Sequence, residues 1–158
     1  MIRVTEAEGE GLEHARRLFR SYAAEYADSI AEVLCLQGFE AEAAGLPGRY
    51  APPSGCLLLA IDGDSVAGCV AMRDLGGGDC EMKRLYVEPP FRGRGIARML
   101  VEHVLRRAGH IGYRRMLLDT VPEMAGAIAL YRSLGFVQTS PYGNSPAERA
   151  VYLEKSLS

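Results

Sequence analysis

PPFRGRGIARML, residues 89–100, decides the fold of this chain. Two prolines end whatever strand precedes them, because proline has no N–H to give to a sheet ladder. Arginine and glycine then alternate from Arg92 to Gly95, and Ile96, Met99, Leu100 and Val104 follow at helical spacing. Such a turn gathers bare backbone, unpaired N–H groups and the positive end of a helix dipole at one point. Arg92, Arg94 and Arg98 add charge there. Taken alone, the stretch fits an anion cradle or a tight, solvated turn.

Working outward, CEMKRLYV (80–87) reads as the strand that enters this loop, and LLLAIDGDSVAGCVAM (57–72) as two strands around a DGD hairpin turn at 62–64. Three successive glycines at 76–78 supply a second turn, so the middle of the chain is an antiparallel meander. Before it, Leu12, Ala15, Leu18, Phe19, Tyr22 and Tyr26 predict an amphipathic helix over about 8–27. A weaker helix is expected over about 29–44, and proline-rich LPGRYAPPSG (46–55) as a loop. Beyond the glycine loop the helix is expected to end near Ala108 with Gly109 closing it. A buried strand follows over 114–120, then a helix from about Glu123 with Gly135 at its left-handed end, a further strand, and a last strand in 150–157. The class is mixed α+β, in a single domain spanning 1–158.

Composition narrows the options. With 158 residues, 48% of them hydrophobic, and a net charge of −2, the chain lacks the basic surplus of a nucleic-acid binder. No run of apolar residues suffices for a membrane span, and the N-terminus lacks a secretory pattern, so a cytoplasmic protein is expected. Cys35, Cys56, Cys69 and Cys80 lack metal spacing and read as reduced, buried thiols, and the three histidines are too scattered to hold a metal.

The glycine loop carries no GxxxxGK[ST] Walker pattern. A dinucleotide fingerprint is disfavoured, because Arg98 stands where its third glycine belongs and the preceding strand is part of a meander, although Asp119 lies roughly twenty residues on. Arg92-x-x-Gly95-x-Ala97, however, resembles the R/Q-x-x-G-x-G/A loop of the GNAT N-acetyltransferase superfamily. MKRLYVEPPFRGRGIARMLVEHV resembles that family's strand–loop–helix, and LLDT with AIALYRSLGF resembles its later strand–helix–strand block.

The resemblance implies a GNAT fold, a mixed and mostly antiparallel sheet flanked by helices, in which a bulged strand splays from its neighbour to hold acetyl-coenzyme A. It implies pyrophosphate on the backbone of Arg92, Gly93, Arg94, Gly95, Ile96 and Ala97, and backbone of Leu85, Tyr86 and Val87 along the pantetheine arm. An N–H near Leu85 would polarise the thioester carbonyl, and Tyr131 matches the tyrosine that protonates the departing thiolate. Glu81 is the expected base, since strand parity puts it on one face with Lys83 and Leu85; a surface pair with Lys83 is the competing reading. His103 falls on its helix's apolar side and reads as a buried histidine. Asp119 and Thr120 end a strand beside the cofactor region, in a capping or an acceptor-contact role. Met124 stands where many relatives have a coenzyme-contacting Asn.

The expected activity is transfer of acetyl to the primary amine of a small molecule. The rivals are a peptide or protein acceptor, and a coenzyme-binding module without turnover. Gln37, Phe39, Glu40, Glu42, Tyr50, Tyr142 and Asn144 are the expected acidic and aromatic acceptor lining, suited to a cationic amine. No metal, nucleic-acid or membrane partner is expected; homodimerisation is common in such proteins.

Overall fold

The computed structural model describes residues 1–27, 38–143 and 150–157. Its elements are β1 (Ile2–Glu6), α1 (Glu10–Glu25), α2 (Phe39–Ala44), β2 (Cys56–Asp62), β3 (Ser65–Gly76), β4 (Asp79–Val87), α3 (Ile96–Ile111), β5 (Arg115–Thr120), α4 (Ala125–Ser133), β6 (Val137–Gln138) and β7 (Val151–Ser156). One seven-stranded sheet runs in the order β1-β2-β3-β4-β5-β7-β6. The expected α+β class holds, as does the meander, with a Gly63–Asp64 turn between β2 and β3 and a Gly77–Gly78 turn between β3 and β4. Gly77 and Gly78 both have positive φ, the geometry that matches the twist of a hairpin.

Two expectations need correction. IRVTE is a strand, β1, paired with β2 from Ile2↔Asp62 to Glu6↔Leu58, where the sequence reading placed no element. Helix α3 passes through Gly109 and ends at Gly112, whose φ of 108° takes the left-handed turn. Of the second expected helix only Phe39–Ala44 lies among the described residues.

Each sheet face buries its own core. On one face Leu100 and Val104 of α3 join Met72, Met82 and Leu118 of the sheet and Phe136, which follows α4. On the other, Phe19 of α1, α2 and the turn at Gly48–Tyr50 cover Leu57, Leu59, Cys69 and Tyr86 of the sheet. Phe19 meets Phe39 and Tyr50 with ring centroids 6.4 and 6.2 Å apart, which fixes α2 and that turn on α1. Gly135 and Phe136 end α4 in a Schellman arrangement, with their N–H groups bonded to the carbonyls of Arg132 and Tyr131.

A candidate active site where two strands part

Parallel strands β4 and β5 pair at only three positions, Asp79↔Arg115, Cys80↔Met116 and Glu81↔Leu117. Beyond Glu81 they diverge, and β5 continues with β7 alone as far as Thr120↔Val151. The divergence coincides with a bulge on β4: Cys69 faces Tyr86 and Ala71 faces Lys83, so Arg84 and Leu85 stand opposite the single residue Val70. Arg84 takes φ 62°, a left-handed conformation rare for a long side chain. Its guanidinium is held by Glu42, Nε at 2.8 Å from Oε2 and a second nitrogen at 3.1 Å from Oε1, and lies over the rings of Tyr22 and Phe39. Burial would push the Glu42 carboxyl up, but the Arg84 hydrogen bond and the charges of Arg84, Arg49 and Lys83 hold it below its ordinary value.

The bulge changes which side chains meet. Cys80, Met82, Leu85 and Val87 join the core under α3, while Tyr86 joins the core under α1. Glu81 and Lys83 alternate with Cys80 and Met82 and so face α1. Glu81 and Leu85 therefore do not share a face, contrary to simple parity: the extra residue at Arg84 inverts the alternation between them. Glu81 is buried, and both its oxygens are engaged. Oε1 accepts from Arg73 Nε at 2.8 Å and has Lys83 Nζ at 3.8 Å, and Oε2 accepts from the Tyr142 hydroxyl at 2.8 Å. Of the competing reading, a surface pair with Lys83, the pair is present but the surface exposure is not. Burial pushes the Lys83 ammonium down, and Glu81 offsets this only in part.

The loop from β4 to α3 borders a depression of about 260 Å³, lined by Val87, Phe91, Arg92, Gly93, Gly95, Ile96, Ala97, Arg98 and Leu130. Gly93 and Gly95 have φ of 80° and 77°, and no atom lies within 4 Å of where their Cβ would be. Conformation, then, requires glycine here, and the space above the backbone is open. Gly95 gives α3 no side-chain cap, and the first intrahelical bond runs from Met99 N–H to the Gly95 carbonyl. The N–H groups of Ile96, Ala97 and Arg98 have no intrahelical acceptor at the positive end of this 16-residue helix.

The arginines divide the work. Arg92 donates to the Val87 carbonyl at 2.9 Å and to Glu25 at 2.8 Å, tying the loop to the end of α1; that hydrogen bond holds the Glu25 carboxyl low. Arg94 turns away to Asp62 on β2, 2.9 Å off, and does not line the depression. Among the described residues Arg98 donates only to the neutral Ser133 hydroxyl, at 2.7 Å, and no carboxylate there pairs with its charge.

Tyr131 lies buried with its ring 5.7 Å from that of Phe136, on the α3 side of the sheet. Burial pushes its phenol up strongly, with smaller contributions from Tyr22 and Tyr26 of α1 and from Asp119. Other expected positions fall elsewhere. His103 is only half-buried and belongs to neither core, so it is not the buried histidine expected. Phe39 and Tyr50 are core residues, and Glu40 is exposed beside Arg20. Met124 packs in the α1-side core and accepts from the Thr120 hydroxyl at 3.2 Å. Cys35, Gln37 and Asn144 lie outside the described residues. The three described cysteines are free and buried, and burial pushes the Cys56 and Cys80 thiols up to about 12 and Cys69 further.

The sequence profile of the acetyltransferase (GNAT) family matches residues 13–136. The chain belongs to the GNAT acetyltransferase family. This GNAT acetyltransferase is an acetyl-coenzyme A-dependent acyltransferase. It is 38% identical to an uncharacterised N-acetyltransferase of Schizosaccharomyces pombe over 142 residues, 89% of this chain and 87% of the relative. It is also 38% identical to the IAA acetyltransferase of Azospirillum brasilense over 109 residues, 68% of this chain and 71% of that one. The fold matches a GNAT acetyltransferase from Staphylococcus aureus Mu50 at a TM-score of 0.82 and 17% identity, over 100% of both chains. Among the described residues, no helix is long and apolar enough to cross a membrane, and no acidic, histidine or cysteine cluster could hold a metal ion.

Proposed function

We propose that this chain moves the acetyl group of acetyl-coenzyme A onto the primary amine of a small molecule, by direct attack within a ternary complex. The observation that carries the reading is the parting of β4 from β5 immediately after Glu81↔Leu117, beside an uncapped helix N-terminus. The N–H groups at Ile96, Ala97 and Arg98, with the Arg98 guanidinium, suit the pyrophosphate; Arg92 holds the loop in shape rather than meeting phosphate itself. The backbone of Leu85, Tyr86 and Val87, displaced from the β3 register by the bulge, runs along the cleft where the pantetheine arm fits. An N–H at Leu85, on the bulge, polarises the thioester carbonyl.

Tyr131 gives its proton to the departing sulfur. Burial keeps the phenol protonated until that thiolate forms, and a thiolate is a strong enough base to take it. Glu81 acts by positioning: it holds Tyr142 and Lys83 at the cleft floor while Arg73 occupies its other side. Direct attack, not an acetyl-cysteine, is supported by the buried, proton-retaining state of Cys56, Cys69 and Cys80. A small acceptor is supported by the packing of α2 and the Gly48–Tyr50 turn on α1, which covers the sheet face beside the cleft.

The direct check is acetyl-coenzyme A consumption in the presence of small amines, a peptide N-terminus and a lysine-bearing protein, with intact-mass analysis of the products. We expect acetylated small amines. Turnover confined to the peptide or the protein would refute the small-molecule acceptor, and coenzyme binding without turnover on any of them would refute catalysis.

A further inference from the structure

Register fixes the face on which Lys83 lies. Its β3 partner Ala71 belongs to the core beneath α1, and residues directly opposite each other in an antiparallel pair share a face, so the Lys83 side chain lies on the α1 side of the sheet. Glu81 and its partner Arg73 lie there with it. Lys83 is also two residues past Glu81, the last β4 position paired with β5, so it borders the cleft. Its side chain is only 7% exposed, and an ammonium with three donors taken that far out of water needs partners. It has one, Glu81 Oε1 at 3.8 Å, which is beyond hydrogen-bond length. That oxygen already accepts from Arg73 at 2.8 Å, and Tyr142 holds the other. Among the described residues Lys83 has no hydrogen bond and no second ion pair; the charge of Asp119 reaches it from β5 without pairing. The only side-chain polar atom among those residues that is both sealed from solvent and unpartnered is the Tyr50 hydroxyl, so the Lys83 nitrogen keeps an opening. The two carboxylates that serve this face are each shared by two cations, Glu81 by Arg73 and Lys83, and Glu42 by Arg84 and Arg49. Positive charge is in excess here even with Asp119 counted.

We propose that Lys83 seats a carboxylate of the acceptor, so that the amine acetylated at this cleft belongs to an amino acid. This rests on the reading of the cleft as a small-molecule amine acetyltransferase site, and it reverses the acceptor charge that the sequence suggested. A carboxylate entering beside Lys83 makes the charge-assisted hydrogen bonds that Glu81 does not make from 3.8 Å, and it balances the excess charge of the face. A cationic amine without a carboxylate finds no free carboxylate in the Glu81 and Glu42 pairs. Burial pushes the Lys83 ammonium down and Glu81 offsets this only in part, the direction of a cation short of negative charge; a bound carboxylate acts against that shift. Lys83 precedes Leu85 by two residues, at most about 7 Å of strand. An acceptor anchored at Lys83 through its carboxylate therefore holds its nitrogen close to a thioester polarised at Leu85.

Matched acceptors that differ only by the carboxylate test this at saturating acetyl-coenzyme A: L-phenylalanine against 2-phenylethylamine, L-methionine against 3-(methylthio)propylamine, and L-lysine against 1,5-diaminopentane. We expect the wild type to favour the amino acid of a pair by about 30-fold in kcat/KM. Lys83→Met keeps the length of the stem and removes the charge, and it should bring that ratio to within about threefold of one, the change falling on KM for the amino acid rather than on kcat. Both members of a pair are measured on the same protein, so a general loss of activity cancels in the ratio. Lys83→Gln, expected to show the same collapse, serves if Lys83→Met does not fold. Wild-type protein that acetylates the amines as well as or better than the amino acids, or a folded variant that keeps the wild-type ratio, overturns the inference and leaves the acetyltransferase reading intact. Wild-type protein that acetylates none of the six overturns both together.

Discussion

Tyr131 and Arg84 show how little of a residue's role lies in its type. Tyr131 is a core aromatic by burial and, in the function proposed here, the acid, and the two roles part under substitution. Tyr131→Phe keeps the ring packed on Phe136, so we expect turnover to fall at least about tenfold while coenzyme affinity in calorimetry stays close to that of the wild type. Unchanged turnover would remove the phenol from the chemistry. The sequence identified Tyr131 because ALYRSLGF matches a family block, and it placed Glu81 near the site by its distance along β4. It mistook which way Glu81 points, because strand parity assumes an unbroken strand, and one left-handed arginine inverts the alternation. An arginine at φ 62° has no signature in sequence, where glycine would have had one. Asp119 read as a strand end with two possible roles, and its place just past the last β4–β5 pair is a property of the folded chain.

At the scale of elements, β4 depends on α2 and α3 on its loop. The buried Arg84–Glu42 pair pins the bulge to α2, so Glu42→Gln leaves a buried guanidinium without its carboxylate, and we expect a loss of about 3 kcal/mol in denaturant unfolding. The sign with pH follows from the direction of the Glu42 shift. Its carboxyl is held below its usual 4.5 in the fold. The pair's stabilisation is therefore present above that value and is lost as pH falls through the folded one. The gap between wild type and Glu42→Gln should close in acid; a gap that persists there would assign the loss to packing. At the glycine loop, Gly95→Ala forces a side chain into φ 77° with open space around it, so strain alone acts. We expect a cost of about 1–2 kcal/mol, read as weaker coenzyme binding or a lower Tm. Elements with long apolar periodicity were legible, and β1 was not: IRVTE is a short strand with one charged residue at each end region, and only its pairing with β2 makes it one. Gly109 looked like a helix end because glycine usually marks one, but packing at Ala108 carries α3 on to Gly112.

Across the whole molecule, the sequence supplied the succession of strands and helices, and local turns made the β2–β3–β4 meander readable. It could not supply the order β5-β7-β6, because β7 enters between two strands that precede it and no local signal specifies that insertion. The two cores account for the thiols. With Cys56, Cys69 and Cys80 buried and their protons held tightly, a Cys35→Ser variant should react with a thiol reagent only as it unfolds, and alkylation of the native variant should leave activity unchanged. Rapid labelling of any of the three in native protein, followed by mass spectrometry, would contradict this placement.

The insertion of β7 also orders events during synthesis. Strand β5 is tied to β4 at three positions and to β7 at six, so most of its ladder waits for residues 151–156. The nascent chain can assemble β1 to β4 with α1 and α3 from neighbouring segments, while the far wall of the cleft stays unsupported. A ribosome-bound intermediate thus has its glycine loop formed before both walls of the cleft are in place.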